Sequence, residues 1–232
     1  MRTCEMRLSG RLRSMRMGAA LLFCLVAAVA SIGEMRADSP ESTRVLVFGD
    51  SLSAAYRLPQ AEGWVARLRE RLDERAPGRF DLTNASASGE TTSGGISRLD
   101  EVLETGDYDW VLLELGANDG LRGLPLDRVE ANLQRLIDLA CEDGARVVLL
   151  GIMLPTNYGP AYAEPFREMF TRLAEANDLP ALPFLLEGVA TERELMMDDG
   201  LHPNAEGQKR VLENVWSVVA PLWGLDDAER SE

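Results

Sequence analysis

A chain of 232 residues that is 46% hydrophobic and 27% charged holds enough apolar material for one well-filled core, so one domain is expected. Its net charge of −14 at pH 7 excludes nucleic acid as a partner, because a phosphate-binding surface needs clustered Lys and Arg. An acidic surface of this kind mainly favours solubility.

The N-terminus reads differently from the rest. Arg2, Arg7, Arg11, Arg13 and Arg16 form a basic lead, and residues 18–32 are almost wholly apolar. A membrane span needs about 20 predominantly apolar residues, and this run is shorter. A basic lead, a short apolar stretch and then small residues describe a secretory signal peptide. The expected division is residues 1–37 as signal peptide, cut after Ala30 or Ala37, and residues 38–232 as one domain with a short acidic tail. An uncleaved membrane anchor is the alternative, and Met15 or Met17 are alternative starts. With Cys4 and Cys24 in the leader, the processed chain would keep Cys141 alone, as a buried structural thiol with no disulfide to form.

From Arg44 onward, apolar runs alternate with amphipathic helices. Val45, Leu46, Val47 and Phe48 form a short continuous apolar run, as expected of a strand buried on both faces. Trp64, Val65, Leu68 and Leu72 recur at helical spacing, predicting a helix over 61–75. A second strand over 80–84 leads into a small-residue loop over 85–95 and a helix to about Glu104. A third strand covers 110–115 and a fourth 147–150. Between them, Asp127 with Glu130 three residues on has the spacing of a capping box. The helix it opens would turn Val129, Leu133, Leu136 and Ile137 inward. Tyr162, Phe166, Met169, Phe170 and Leu173 mark the next helix, with Pro165 placed in its first turn. A short fifth strand broken by prolines lies within 179–184. The last helix starts near Asn204 and turns Val211, Leu212, Val215 and Trp216 inward, before an acidic tail over 226–232 that reads as disordered. Strands alternating with helices imply an α/β fold, a three-layer α/β/α sandwich around a parallel sheet of about five strands.

In such a sheet, ligands bind beyond the carboxyl ends of the strands, near the point where strand order reverses. The unusual polar residues cluster there. Strand one ends in Gly49-Asp50-Ser51-Leu52-Ser53, strand two leads into Asn84-Ala85-Ser86-Ala87-Ser88-Gly89-Glu90, and strand three ends in Gly116-Ala117-Asn118-Asp119-Gly120. A fourth segment, Asp198-Asp199-Gly200-Leu201-His202-Pro203-Asn204, precedes the last helix. Each alone is a weak signal. Four in this order make a strong one.

Together these blocks resemble the GDSL or SGNH hydrolase family over nearly the whole chain from Val45 onward. Glu114-Leu115-Gly116-Ala117-Asn118-Asp119-Gly120-Leu121-Arg122-Gly123 and Leu154-Pro155-Thr156-Asn157-Tyr158-Gly159 are similar to its bacterial periplasmic thioesterase and lysophospholipase branch. Ala117 departs from the glycine usual in the family, without touching the asparagine that carries the role. The resemblance implies a flavodoxin-like SGNH fold and Ser51 as nucleophile. A neutral serine is a weak nucleophile and needs a base in hydrogen-bond reach, itself oriented by a third group. His202 is the only histidine in the chain, and Asp199, three residues earlier, matches the family's acid. The oxyanion hole would comprise the N–H groups of Ser51 and Gly89 and the side-chain amide of Asn118. Residues 120–125 correspond to a mobile loop lining the acyl site, where Leu121 and Leu124 would contact an acyl chain and Pro155 and Tyr158 would form the opposite wall.

Plainer readings stand beside these. Ser51 is a residue type that caps helices; Gly89 and Asn118 are common in turns; Asp50 and Asp119 read as loop-fixing groups. Other catalytic classes fit worse. The Gly-x-Ser-x-Gly elbow is missing, a zinc hydrolase would need several His or Cys ligands, and Lys209 is the only lysine for a phosphate-cradling loop. The expectation is therefore a secreted or periplasmic, monomeric serine hydrolase of acyl esters and thioesters, lysophospholipid among them, with no metal, no cofactor and no stable membrane span after processing. Carbohydrate O-acetylesterase activity is the rival within enzymes, and a non-catalytic binding protein the rival outside them.

Overall fold

The structure is a computed structural model in which residues 42–226 are described. The leader, both cleavage positions and the tail beyond Asp226 lie outside the described residues.

Five strands, β1 (Thr43–Gly49), β2 (Phe80–Asn84), β3 (Trp110–Glu114), β4 (Arg146–Leu150) and β5 (Ala181–Leu182), form one parallel sheet in the order β2-β1-β3-β4-β5. Among the described residues, six helices connect and cover it: α1 (Trp64–Arg75), α2 (Thr92–Glu104), the short α3 (Ala117–Leu121), α4 (Leu126–Asp143), α5 (Pro160–Asn177) and α6 (Ala205–Leu222). Because strand side chains alternate between faces, the apolar runs of β1, β3 and β4 feed two separate cores. Val45, Val47, Leu112, Val148 and Leu150 pack with Trp64 and Leu68 of α1 and Val211 and Val215 of α6. Leu46, Phe48, Val111, Leu113, Val147 and Leu149 pack with Leu99 of α2, Leu133 and Leu136 of α4 and Phe166 of α5. This is the expected three-layer sandwich.

Several local expectations change. The first helix begins at Trp64, after a separate 3-10 turn at Gln60–Glu62. The helix after β2 begins earlier, at Thr92, because the Thr91 side chain accepts from the N–H of Gly94. Its Gly95 lets α2 close on the sheet, since a Cβ there would stand 2.6 Å from Leu115 Cδ1.

No capping box forms at Asp127. Helix α4 opens after Pro125 without a side-chain cap; Asp127 lies inside its first turn, where a negative charge favours the helix dipole. Helix α5 starts at Pro160, so Pro165 falls in the second turn rather than the first. The N–H it lacks would have bonded the carbonyl of Ala161, which is on the exposed face. Pro180 and Pro183 flank β5 and hold it to two residues, as expected where ring nitrogens cannot join a ladder. Trp216 is only half-buried and lies under the Arg71 guanidinium.

Cys141 is half-buried and disulfide-bonded in the full chain. That corrects the expected lone, buried thiol. Among the described residues, no helix is long and apolar enough to cross a membrane.

Leu133, fully buried between α4 and the sheet, gives a direct test of this packing. Leu133→Ala is expected to cost about 2–5 kcal/mol, the range for a large-to-small core change, read as a lowered urea midpoint.

Candidate active site

The chain leaves β1 for β2 on one side and then returns for β3 on the other, so strand order reverses between β1 and β3. Crevices form at the carboxyl ends of strands at such a point. Gly49 and Glu114, the last residues of β1 and β3, face each other in register. The chain beyond them carries Ser51 on one side and Asn118 on the other.

Ser51 is half-buried in a tight turn in which the N–H of Ala54 bonds the Asp50 carbonyl at 3.0 Å. Its Oγ lies 2.8 Å from His202 Nε2, and His202 Nδ1 lies 2.9 Å from Asp199 Oδ2. A carboxylate only accepts, so Nδ1 carries the proton and Nε2 is left to accept from the serine hydroxyl. Burial raises the Asp199 carboxyl, but bonds from the Leu201 N–H, the imidazole and the His202 N–H outweigh it and hold it below its ordinary value.

This segment is fastened locally. Asp199 Oδ1 accepts from the N–H groups of Leu201 and His202, with Gly200 between them at φ +67°. Asn204 caps α6 by accepting from Glu206 and Gly207, while its own amide donates to the Glu194 carbonyl. Behind the imidazole lies a residue that sequence reasoning missed. The Tyr56 ring stacks on His202 with centroids 4.3 Å apart, and the Arg57 guanidinium lies over the same tyrosine. Its neighbours Ala55 and Arg57 both have left-handed φ, +54° and +55°, a conformation that costs ~1–3 kcal/mol for a residue with a Cβ. Nothing in the sequence around Tyr56 signals this.

Asn118 is on α3, entered through Gly116 at φ +120°, and its Nδ2 donates to Asp50 Oδ2 at 2.9 Å. Gly89, on the loop after β2, is exposed with φ +80° and open space where a Cβ would be. Among the described residues no acceptor takes the N–H of Ser51 or of Gly89. Asp50 and Asp119 fix loops. Asp119 accepts from both the N–H and the hydroxyl of Thr92, which ties the Gly89 loop to the Asn118 turn.

A second missed residue is Glu114. It is fully buried, and its Oε2 accepts from the Asp50 N–H at 3.2 Å and the Ser53 hydroxyl at 2.7 Å. Among the described residues its Oε1 has no partner. Burial, and then the nearby Asp50 carboxyl, push Glu114 well above the ordinary carboxylate range. Burial also pushes Asp50 up to about 6, despite the bonds from the Leu52 N–H and Asn118. An acidic residue ending an otherwise apolar strand was the available signal.

The four expected acyl-site residues come together in part. The Tyr158 hydroxyl donates to the Leu121 carbonyl at 2.7 Å, and the Tyr162 hydroxyl does the same to Leu124. Leu124 packs against the apolar layer, and Pro155 leads into the 3-10 turn Thr156–Tyr158. The two glycines of this stretch differ. Gly123 has φ +65° and open space around it, whereas a Cβ on buried Gly120 would stand 2.6 Å from Leu154 and 2.7 Å from Phe166. Gly120 therefore serves close packing rather than hinge motion.

A linear Ser–His–Asp hydrogen-bond chain at the switch point of this parallel sheet is the arrangement of a serine hydrolase. The chain belongs to the GDSL-like Lipase/Acylhydrolase family, whose model matches residues 47–210. It is 43% identical to an arylesterase of Vibrio mimicus over 197 residues, covering 84% of this chain and 92% of that one. Thioesterase 1/protease 1/lysophospholipase L1 of Escherichia coli K12 is 37% identical over 182 residues, 78% of this chain and 86% of the relative. The crystal structure of the psychrotrophic esterase EstA from Pseudoalteromonas sp., inhibited by monoethylphosphonate, superposes with a TM-score of 0.75 at 38% identity. That match covers 79% of this chain and 100% of EstA.

Glu114 predicts a pH effect on stability. A carboxyl whose folded pKa lies above its unfolded value gives its full contribution below the unfolded pKa and loses it as pH rises through the folded one. Wild type is therefore expected to lose urea resistance as pH rises above the ordinary carboxylate range, relative to Glu114→Gln, whose amide oxygen can still accept both bonds. Parallel pH profiles of the two proteins would show that Glu114 is not held neutral.

Proposed function

We propose that this chain hydrolyses acyl esters and thioesters with broad specificity, through an acyl-serine intermediate on Ser51. The observation that carries the reading is the hydrogen-bond chain, 2.8 Å from Ser51 Oγ to His202 Nε2 and 2.9 Å from His202 Nδ1 to Asp199 Oδ2. As Ser51 Oγ attacks the carbonyl carbon, its proton passes to His202 Nε2. Asp199 keeps the reactive tautomer and stabilises the imidazolium. The carbonyl oxygen becomes an oxyanion, met by the N–H groups of Ser51 and Gly89 and the amide of Asn118. Collapse of the tetrahedral intermediate expels the alcohol or thiol, which takes the proton from His202. Water then attacks the acyl-serine by the same steps in reverse roles.

The substrate class follows from chemistry common to oxygen esters and thioesters, since both pass through one tetrahedral oxyanion. Relatives named arylesterase and thioesterase/lysophospholipase support both branches. Leucines at 121 and 124, where the family's acyl-site loop is expected, favour an acyl chain over a sugar. The basic and apolar leader of residues 1–37 supports export to the periplasm or beyond.

Two measurements test the proposal. A fluorophosphonate probe is expected to label the purified protein and to leave folded Ser51→Ala unlabelled; labelling of neither would favour a binding role. A p-nitrophenyl ester series is expected to show turnover extending beyond acetate to longer chains, and confinement to acetate would favour a carbohydrate deacetylase.

A further inference from the structure

We propose that Asp50 is a positioning residue whose buried carboxylate sets which way the Asn118 amide faces, so that an N–H rather than a carbonyl oxygen points at the oxyanion. The assignment rests on the oxyanion role given to Asn118 above. A primary amide is nearly symmetric in shape, and turning it over exchanges a donor for an acceptor. At Asn118 the two orientations have opposite consequences: one stabilises a developing negative charge and the other repels it. Something must choose between them.

Asp50 makes that choice. It is fully buried, its Oδ1 accepts from the Leu52 N–H at 3.0 Å and its Oδ2 accepts from Asn118 Nδ2 at 2.9 Å. An ionised carboxylate has no donor to offer, so only the nitrogen of Asn118 can face it. One amide hydrogen is then held by Asp50 and the second is left for substrate. The same carboxylate grips the turn that carries the Ser51 N–H, so two of the oxyanion donors share one anchor. Glu114 steadies that anchor from beneath by accepting from the Asp50 N–H.

Asp50→Asn separates this role from loop fixing. The backbone N–H of Leu52 cannot turn over, so the new side chain must keep its oxygen there and present its NH₂ to residue 118. Asn118 then flips to offer its oxygen, and the oxyanion loses a donor. Steady-state kinetics on p-nitrophenyl butyrate are measured for wild type, Asp50→Asn, Asn118→Ala and the double variant, with thermal melts as a folding check. Both single variants are expected to lose about 10²-fold in kcat, the scale of one lost oxyanion donor, with KM within about twofold of wild type. The double variant is expected to be no slower than Asn118→Ala.

Further loss of tenfold or more in the double variant, as purely structural support would give, overturns the proposal, as does an Asp50→Asn enzyme within about threefold of wild type. Near-normal kcat in Asn118→Ala overturns the oxyanion reading itself, a separate outcome. Should Asp50→Asn not fold, the same cycle is run with Asp50→Ser, whose hydroxyl can still accept from Leu52 but is too short to hold Asn118.

Discussion

The facing of Gly49 and Glu114 across the β1–β3 ladder is the contact on which the site depends. Parallel strands covered by helices on both faces leave no room for polar chemistry along their length, only at their ends. Register decides which ends meet. Here it sets the serine turn against the asparagine turn, and the Glu114 carboxyl reaches under the serine turn. Gly49 has to be glycine for this, because a Cβ would lie 2.6 Å from Glu114 Oε2 and 2.9 Å from the Ser53 hydroxyl.

The carboxyl groups around the crevice differ in surroundings, and through them in charge. Asp199 sits at the rim among N–H groups and an imidazole, and is held ionised. Glu114 sits below with, among the described residues, two donors on one oxygen and none on the other, and is pushed towards the neutral acid. Asp50 lies between these extremes, near 6. Bringing several acids together in a chain of net charge −14 would be self-defeating if all ionised equally. Burial and hydrogen bonding separate them, as in other sites where neighbouring acids take different roles.

The layers were legible in the sequence because burial on both faces leaves a plain mark. The Val45 to Phe48 run and the Val129, Leu133, Leu136, Ile137 spacing predict the strand and inner face that the structure contains. The four polar blocks were legible because each interrupts an apolar pattern at a strand end or helix start, and the hydrogen bonds join Ser51, His202 and Asp199 from the first and last of them. What stayed hidden depends on partners distant in the chain. Tyr56 gains its meaning from an imidazole 146 positions later, and Glu114 from a serine turn 61–64 residues earlier. The failed capping box has a local cause. Pro125 already sets the entry to α4, so the Asp127–Glu130 spacing matches a motif that the backbone begins too early to use.

These hidden residues share a physical role. A serine turn with two left-handed residues stores strain that an isolated segment would release by relaxing. It persists because Trp64 Nε1 donates to the Leu52 carbonyl, Asn84 donates to the Ser53 carbonyl, and Glu114 takes the Ser53 hydroxyl. The histidine segment is fixed independently, by the Met196–Pro203 bridge and the Asn204 cap. Two stiff pieces built on different elements therefore meet at the 2.8 Å Ser51–His202 contact and the Tyr56–His202 ring stack. Preorganisation of that kind removes reorganisation from the reaction itself, which is why the groups behind the serine matter as much as those in front of it.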